Sequence, residues 1–190
     1  MTAVAQAQRE EADAQLLHRV TLGDLGGLGV LFDRYHGDVL RYVGRLGVSP
    51  GDADDLVQLT FLDVMRAAQS FDGRSSARAW LFGLATMVVR RHRTSLGRLA
   101  TRLLAWAREP QPESNESPVE QLARHQDAAH AHRALERLSA KKQEVFVLVV
   151  LENATGEEAA RALGIPVATV WTRLHHARRE LRQLLAEDLP

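Results

Sequence analysis

Residues 109–118 read EPQPESNESP, with three prolines, three glutamates and no aliphatic side chain. Proline removes helical donors, and a stretch with nothing apolar has no surface to bury, so this composition belongs to a linker. It constrains everything else, because the chain on either side must fold as its own unit. On both sides apolar residues recur at helical spacing, and no stretch alternates with period two. The expected fold is therefore all-α: two small helical domains joined by a flexible acidic linker. The predicted boundaries are a flexible N-terminus at 1–15, a first domain at 16–108, a linker at 109–121 and a second domain at 122–190. No internal repeat is present.

With 190 residues, either unit is long enough to bury a core. The chain has no cysteine, which excludes disulfides and thiolate metal sites within it and fits a reducing cytoplasm. No apolar run approaches the eighteen or so residues of a membrane span, so no direct membrane insertion is expected. The opening MTAVAQAQREEADAQ lacks the apolar stretch of a signal peptide and reads as a lead-in.

Net charge is zero, but the average hides the layout. Residues 1–63 carry ten acids against five arginines, whereas 73–108 carry eight arginines (Arg74, Arg78, Arg90, Arg91, Arg93, Arg98, Arg102, Arg108) and no acid. Residues 109–120 reverse the sign again, with Glu109, Glu113, Glu116 and Glu120. A block of one sign is a phosphate-binding surface in outline.

In the first domain, residues 16–35 and 39–46 each carry a helical apolar stripe. Ser49-Pro50-Gly51-Asp52 opens a third helix: serine suits the N-cap, proline the first helical position, and aspartate the positive end of the dipole. That helix, ADDLVQLTFLDVMRAA, sets Leu56, Leu59 or Thr60, and Asp63 on successive turns, with Phe61 in the core. The segment SFDGRSS at 70–76 ends it. A fourth, amphipathic helix from about Ala77 to Ser95 carries Arg90-Arg91-His92-Arg93 at its end.

The second domain ends in TGEEAARALGIPVATVWTRLHHARRELRQLL, residues 155–185. Thr155 and Glu158 form a capping box. Ala159 and Ala160 are small where two helices cross, and Gly164 supplies the turn. Ile165 and Val170 brace a second helix opened by Pro166. This is a helix-turn-helix, whose second helix offers Thr169, Trp171, Thr172, Arg173, His175, His176 and Arg179 to a DNA major groove. Arg173 suits a guanine edge or a phosphate, and the threonines suit phosphate oxygens or a thymine methyl. Val145 to Leu151 is a continuous apolar run, read as the core helix of this domain.

No phosphate loop, Ser-His-Asp spacing or catalytic carboxylate pair appears. His125, His130 and His132 have no Cys or carboxylate partner, and Asp52, Asp54 and Asp55 crowd one helical turn without a histidine nearby. The expectation is a non-catalytic protein that uses no metal and no cofactor.

With both halves in view, the chain resembles the extracytoplasmic-function (ECF) sigma factors of bacterial RNA polymerase, over residues 22–108 and 133–186. GDLGGLGVLFDRYHGDVLRYVGRL, DADDLVQLTFLDVMRA and FDGRSSARAWLFGLATMVVRRHR are similar to successive parts of sigma region two. ALERLSAKKQEVFVLVVLENATGEEAARALGIPVATVWTRLHHARRELRQLL is similar to region four. The resemblance implies that region two binds core polymerase and the minus-ten element, and that region four reads the minus-thirty-five element. Asp52, Asp54, Asp55 and Gln58 would then face the clamp helices of the polymerase β′ subunit. Asp72, Gly73, Arg74, Ser75, Ser76 and Arg78, with Arg90, Arg91 and Arg93, would hold the nontemplate single strand and flanking duplex.

Trp80, from the family's Trp-Leu pair, reads mainly as core. Leu59, Met87 and Trp171 stand where the family commonly has Glu, Asn and Lys or another polar residue. Trp171 either packs on thymine methyls or sugars, or folds back on its own domain. The neighbourhood of residues 145–151 would also meet the polymerase β flap. The linker would thread toward the polymerase active site and RNA exit channel. An anti-sigma factor is the further expected partner, and the location is cytoplasmic, nucleoid-associated or held at a membrane by that partner. The alternative class is a stand-alone helix-turn-helix transcriptional regulator.

Overall fold

The computed structural model describes residues 3–106 and 132–187, and the predicted linker lies outside them, as do His125 and His130. Among the described residues every regular element is helical. Helix α1 spans Ala3–Thr21 and α2 spans Leu25–Arg45. Both bounds correct the sequence reading. The expected lead-in through residue 15 is helical from Ala3, as its alanines, glutamines and glutamates favour. Its Asp13 is buried and accepts bonds from Arg34 and Tyr35 of α2, which ties the segment to the domain.

The break between the first two helices falls at 22–24, not near residue 37. Gly23 takes the left-handed conformation at φ +86°. Asp24 then caps α2, accepting from the Gly26 and Gly27 amides at 2.8 and 3.3 Å. Beyond it a single buried stripe, Gly27, Leu31, Tyr35, Val39, Tyr42 and Val43, keeps α2 unbroken.

Helix α3 spans Pro50–Ala67, with Pro50 in its first turn as expected. Ser49 stands at the N-cap, but its hydroxyl donates to Asp52 at 2.6 Å rather than accepting from a backbone amide. Helix α4 spans Ala77–Trp106, eleven residues beyond the expected end at Ser95. It buries Leu81, Phe82, Ala85, Val88 and Val89 against α2 and α3. Tyr42 stacks on Phe82 with ring centroids 4.4 Å apart, and its hydroxyl meets that of Thr86 at 2.6 Å. Burial pushes the Tyr42 phenol well above its ordinary pKa.

In the second half, residues 132–137 are helical (α5) and α6 spans Ala140–Phe146. The apolar run expected as plain core helix widens into a π turn over Val147–Leu151. Val145, Val147 and Leu148 are buried, while Val149, Val150 and Leu151 are half-buried. Helix α7 spans Gly156–Leu163 and α8 spans Val167–Glu187.

The two halves pack on each other, and their buried residues form one contiguous cluster. Helix α4 lies along α7. The approach is close at Gly83, where a Cβ would stand 2.9 Å from the Ala162 carbonyl oxygen and 3.0 Å from its Cα. Only glycine fits that position without moving one helix.

Asp13→Ala should release the first helix by leaving Arg34 and Tyr35 without their acceptor. The expected cost is about 2 kcal/mol, typical of a bond to a charged group, read as a lower midpoint in urea unfolding.

Candidate nucleic-acid and polymerase surfaces

The helix-turn-helix has the geometry its residues predict. Glu158 N donates to the Thr155 hydroxyl at 3.1 Å, while the Glu158 carboxylate accepts from Thr155 N at 3.0 Å, so the capping box is complete. Burial opposes the charge of Glu158, but backbone and side-chain donors on Thr155 and Ser76 outweigh it and hold the carboxyl below its ordinary pKa. Gly164 turns the chain at φ +65° in the left-handed region. Val170, Leu174 and Ala177 of α8 are buried, and Ile165 is half-buried. Trp171, Thr172, His175 and Arg179 are exposed, whereas Thr169, Arg173 and His176 are half-buried. The seven positions therefore share the outer side of one helix.

Trp171 does fold back on its domain, and it keeps half of its surface in solvent, at 51%. Its benzo ring covers Gly156 at the start of α7, where a Cβ would come within 2.5 Å of Cζ2 and 3.0 Å of Cε2. The indole is thus seated by a missing side chain.

On α3, Asp54, Asp55 and Gln58 are exposed, and Asp52 is half-buried beside His92 at 3.7 Å. The same side continues through Leu59, Leu62 and Met65, which are 48%, 54% and 46% exposed. Sequence reasoning allowed Leu59 or Thr60 on the buried face; Thr60 takes it, donating to the Leu56 carbonyl at 2.7 Å. Leu62 and Met65 were missed as surface residues because apolar side chains in a helix look like core until their facing is known, whereas Leu59 was marked by the Glu the family commonly has there.

In the loop before α4, Asp72 accepts from the Arg74 amide at 3.0 Å, with Gly73 at φ +70°. Ser75 and Ser76 are half-buried. Trp80 packs edge-on against Phe71 at 5.6 Å and is half-buried, and Met87 is exposed. Asp72, Ser75, Trp80, Gly83 and Met87 line a cavity of about 310 Å³ that Arg161 and Ala162 of α7 close from above.

The arginines of α4 are not a bare basic track. Arg90 grips Glu144 of α6 bidentately, at 2.8 and 2.6 Å. Arg78 bonds Asp38 at 2.7 Å, the Glu152 carbonyl at 3.1 Å and the Glu152 carboxylate. Arg45 of α2 takes the other oxygen of that carboxylate at 2.5 Å and the Leu151 carbonyl at 3.2 Å. Arg93 donates to the Leu46 carbonyl and to Gln143 at 3.2 Å. Arg91 turns the other way, to Asp63, and Arg74 stays exposed with Asp72 at 3.6 Å. So Arg78, Arg90 and Arg93 share one side of α4 without Arg91, and that side faces the second half of the chain. Glu144 and Glu152 are both buried.

Two family models match the chain, Sigma-70 region 2 over residues 31–105 and Sigma-70 region 4 over residues 130–181. The RNA polymerase sigma factor CnrH of Cupriavidus metallidurans is 32% identical over 94% of this chain and 97% of its own. The ECF RNA polymerase sigma factor SigM of Mycobacterium tuberculosis is 30% identical over 94% and 87%. The chain belongs to the ECF RNA polymerase sigma factors. Solved structures agree. CnrH in complex with the cytosolic domain of CnrY has TM-score 0.68 at 26% identity, covering 94% of this chain and 99% of that one. The sigma factor RpoE of Bartonella quintana, in complex with the anti-sigma factor NepR, has TM-score 0.61 at 25% identity, covering 85% and 98%.

As an ECF sigma factor the protein directs core polymerase to promoters and assists promoter melting at initiation. The family role is that of a non-catalytic initiation subunit. A stand-alone helix-turn-helix regulator is not favoured, because it leaves the region-two match at residues 31–105 without a purpose. No helix among the described residues is long and apolar enough to cross a membrane.

The seat of Trp171 gives a direct test on this sigma factor. Gly156→Ala should displace the indole and cost about 1–3 kcal/mol, as overpacking does. Trp171→Ala should relieve much of that cost. A double-mutant cycle by thermal unfolding should therefore show strong coupling, whereas additive effects would mean the contact is incidental.

Proposed function

We propose that region four of this sigma factor reads the minus-thirty-five element with the outer side of α8, through Thr169, Trp171, Thr172, Arg173, His175, His176 and Arg179. The observation that carries this is the split of α8: Val170, Leu174 and Ala177 are buried under the helix while the polar residues between them face out. Arg173 stands one helical turn from Thr169, so the two reach neighbouring positions in a groove. Trp171, anchored on Gly156, offers an apolar face to sugars or thymine methyls.

Region two would then supply the melted end. The loop of Asp72, Gly73, Arg74, Ser75 and Ser76 would receive an unstacked base above the cavity beside Trp80 and Met87. Arg78, Arg90, Arg91 and Arg93 would hold nontemplate and duplex phosphates, the electrostatic share that such binding requires. Core polymerase would dock on α3 through Asp52, Asp54, Asp55 and Gln58, to which we add the exposed Leu59, Leu62 and Met65. An interface with an apolar centre and a charged rim fits a stable subunit contact better than carboxylates alone.

The β flap would meet the half-buried Val149 to Leu151 neighbourhood. An anti-sigma factor is the expected regulator, since the sigma factor RpoE is seen in complex with the anti-sigma factor NepR. The protein would act in the cytoplasm, with no membrane insertion of its own.

Transcription with core polymerase on a pool of templates randomised at both promoter elements tests the reading. Discrete, enriched promoters with two conserved blocks are expected; transcripts no different from core polymerase alone would overturn it. On an enriched promoter, Arg173→Ala should lose about 1–3 kcal/mol of discrimination at one base pair of the upstream block. A uniform loss across sequences, with a salt slope shallower by about one, would instead make Arg173 a phosphate contact.

A further inference from the structure

We propose that Glu144 and Glu152 act as built-in phosphate mimics: they occupy the arginines of the melted-strand surface and latch region four onto region two until nucleic acid competes them away. The proposal rests on the assignment of Arg78 and Arg90 to the nontemplate strand. It adds Arg45, which shares the Glu152 carboxylate with Arg78, as a further strand-binding residue.

The contacts have the chemistry of phosphate recognition. A guanidinium meets a carboxylate and a phosphate with the same planar fork. Arg90 uses that fork on Glu144 at 2.8 and 2.6 Å. Arg45 and Arg78 close on the two oxygens of Glu152 from opposite sides. The acids are carried on backbone built to deliver them. The π turn over Val147–Leu151 ends at Glu152, whose amide donates to the Val147 carbonyl at 2.9 Å, and Asn153 follows at φ +56°. The turn also aims the Leu151 and Glu152 carbonyls at the same two arginines, at 3.2 and 3.1 Å. Arg78 and Arg90 lie twelve residues apart on α4, roughly 18 Å along the axis, so the carboxylates sit like two phosphates of one strand.

The latch also covers the base cavity. Arg161 and Ala162 roof it, and Arg161 donates to the Arg74 carbonyl at 2.5 Å. Glu158 accepts from the Ser76 hydroxyl at 2.9 Å, which holds the loop that would receive the base. A single strand therefore cannot take its arginines or its cavity while α7 stays in place. Opening would expose both at once, and DNA and region four become mutually exclusive ligands of α4.

Gly83 allows a clean test, because the nearest atoms to a Cβ there all belong to Ala162 and none to the core of region two. Gly83→Leu should wedge the halves apart, and Glu152→Gln should do the same by removing the charge without changing the shape. Each is made in the full chain carrying Asp33→Cys and Arg178→Cys, two exposed positions in a protein with no cysteine of its own, for a fluorophore pair. The probe is an oligothymidylate of about twelve nucleotides, within the usual reach of a single-strand site.

The wild type should show high energy transfer that falls as oligonucleotide is added. Both variants should show low transfer from the start. Glu152→Gln, which leaves the cavity lining intact, should bind the oligonucleotide about tenfold more tightly, the inverse of the open fraction in the wild type. Gly83 lines the cavity, so Gly83→Leu reports opening only. Helix content by circular dichroism separates opening from unfolding. An open Glu152→Gln variant with unchanged affinity, or a wild type that binds while transfer stays high, would overturn the competition. Closed, folded variants would overturn the latch. Failure of the sigma assignment would look different: no promoter-dependent transcripts from wild type with core polymerase, whatever the oligonucleotide does.

Discussion

Helix α4 faces region two on one side and region four on the other, and must satisfy both with one cylinder. Its inner side, Leu81, Phe82, Ala85, Val88 and Val89, builds region two. Its outer side carries Arg78, Gly83 and Arg90 against α6, α7 and the π turn. The glycine permits backbone contact in the middle of that side, and the arginines flank it. Ser76 with Glu158, Arg161 with the Arg74 carbonyl, Arg45 with Glu152 and Arg93 with Gln143 continue the same seam.

The character of the seam matters as much as its geometry. Buried ion pairs are weak sources of net stability, because the desolvation of both partners offsets most of their attraction. Here the carboxylates are buried while the arginines keep 31–41% of their side-chain surface in water. Such a contact specifies one arrangement without making it permanent. On separation each carboxylate is rehydrated, Arg45 and Arg90 are free for another anion and Arg78 keeps Asp38 alone, whereas an apolar seam of the same area would leave two exposed hydrophobic faces. A subunit that must present two DNA-reading domains at a distance is better served by the first kind of contact.

Much of this was legible in the residues. The all-α class followed from periodicity, and the helix-turn-helix from local signals that are nearly self-sufficient: Thr155 and Glu158 for the cap, Gly164 for the left-handed turn, Val170 for the brace. These depend on neighbours within a few positions, so sequence carries them. The break at Gly23-Asp24 was equally local and was still missed, because the stripes at 16–35 and 39–46 looked like separate helices. Which way a helix faces was harder to read. Leu59 and Thr60 are adjacent, and only packing against α2 and α4 decides that the threonine goes inside. Glu144 and Glu152 bound a strongly apolar run and Gly83 interrupts a helix, both signs of a special contact. Their partners lie 54, 74 and 79 residues away in the chain, and nothing local names them.

The two proposed promoter-reading sites are joined by a short path that no single motif reveals. Ser76, in the loop assigned to the unstacked base, donates to Oε1 of Glu158. The other oxygen of that carboxylate closes the capping box on Thr155. The next residue, Gly156, seats Trp171 of the recognition helix. One carboxylate thus serves as cap for the helix-turn-helix and as anchor for the loop before α4. When region four leaves, Glu158 loses the Ser76 donors but keeps both Thr155 bonds, so α7 remains capped and the seat of Trp171 is preserved. The loop loses more: both Ser76 bonds to Glu158 and the Arg161 bond to the Arg74 carbonyl go, leaving the Asp72–Arg74 turn and the bond from the Ala79 amide to the Ser76 hydroxyl at 3.3 Å. On the proposed assignment, separation frees the loop that would receive a base to rearrange while the helix-turn-helix stays rigid. That asymmetry suits the two tasks: one must capture a strand as it melts, and the other must meet a duplex that is already formed.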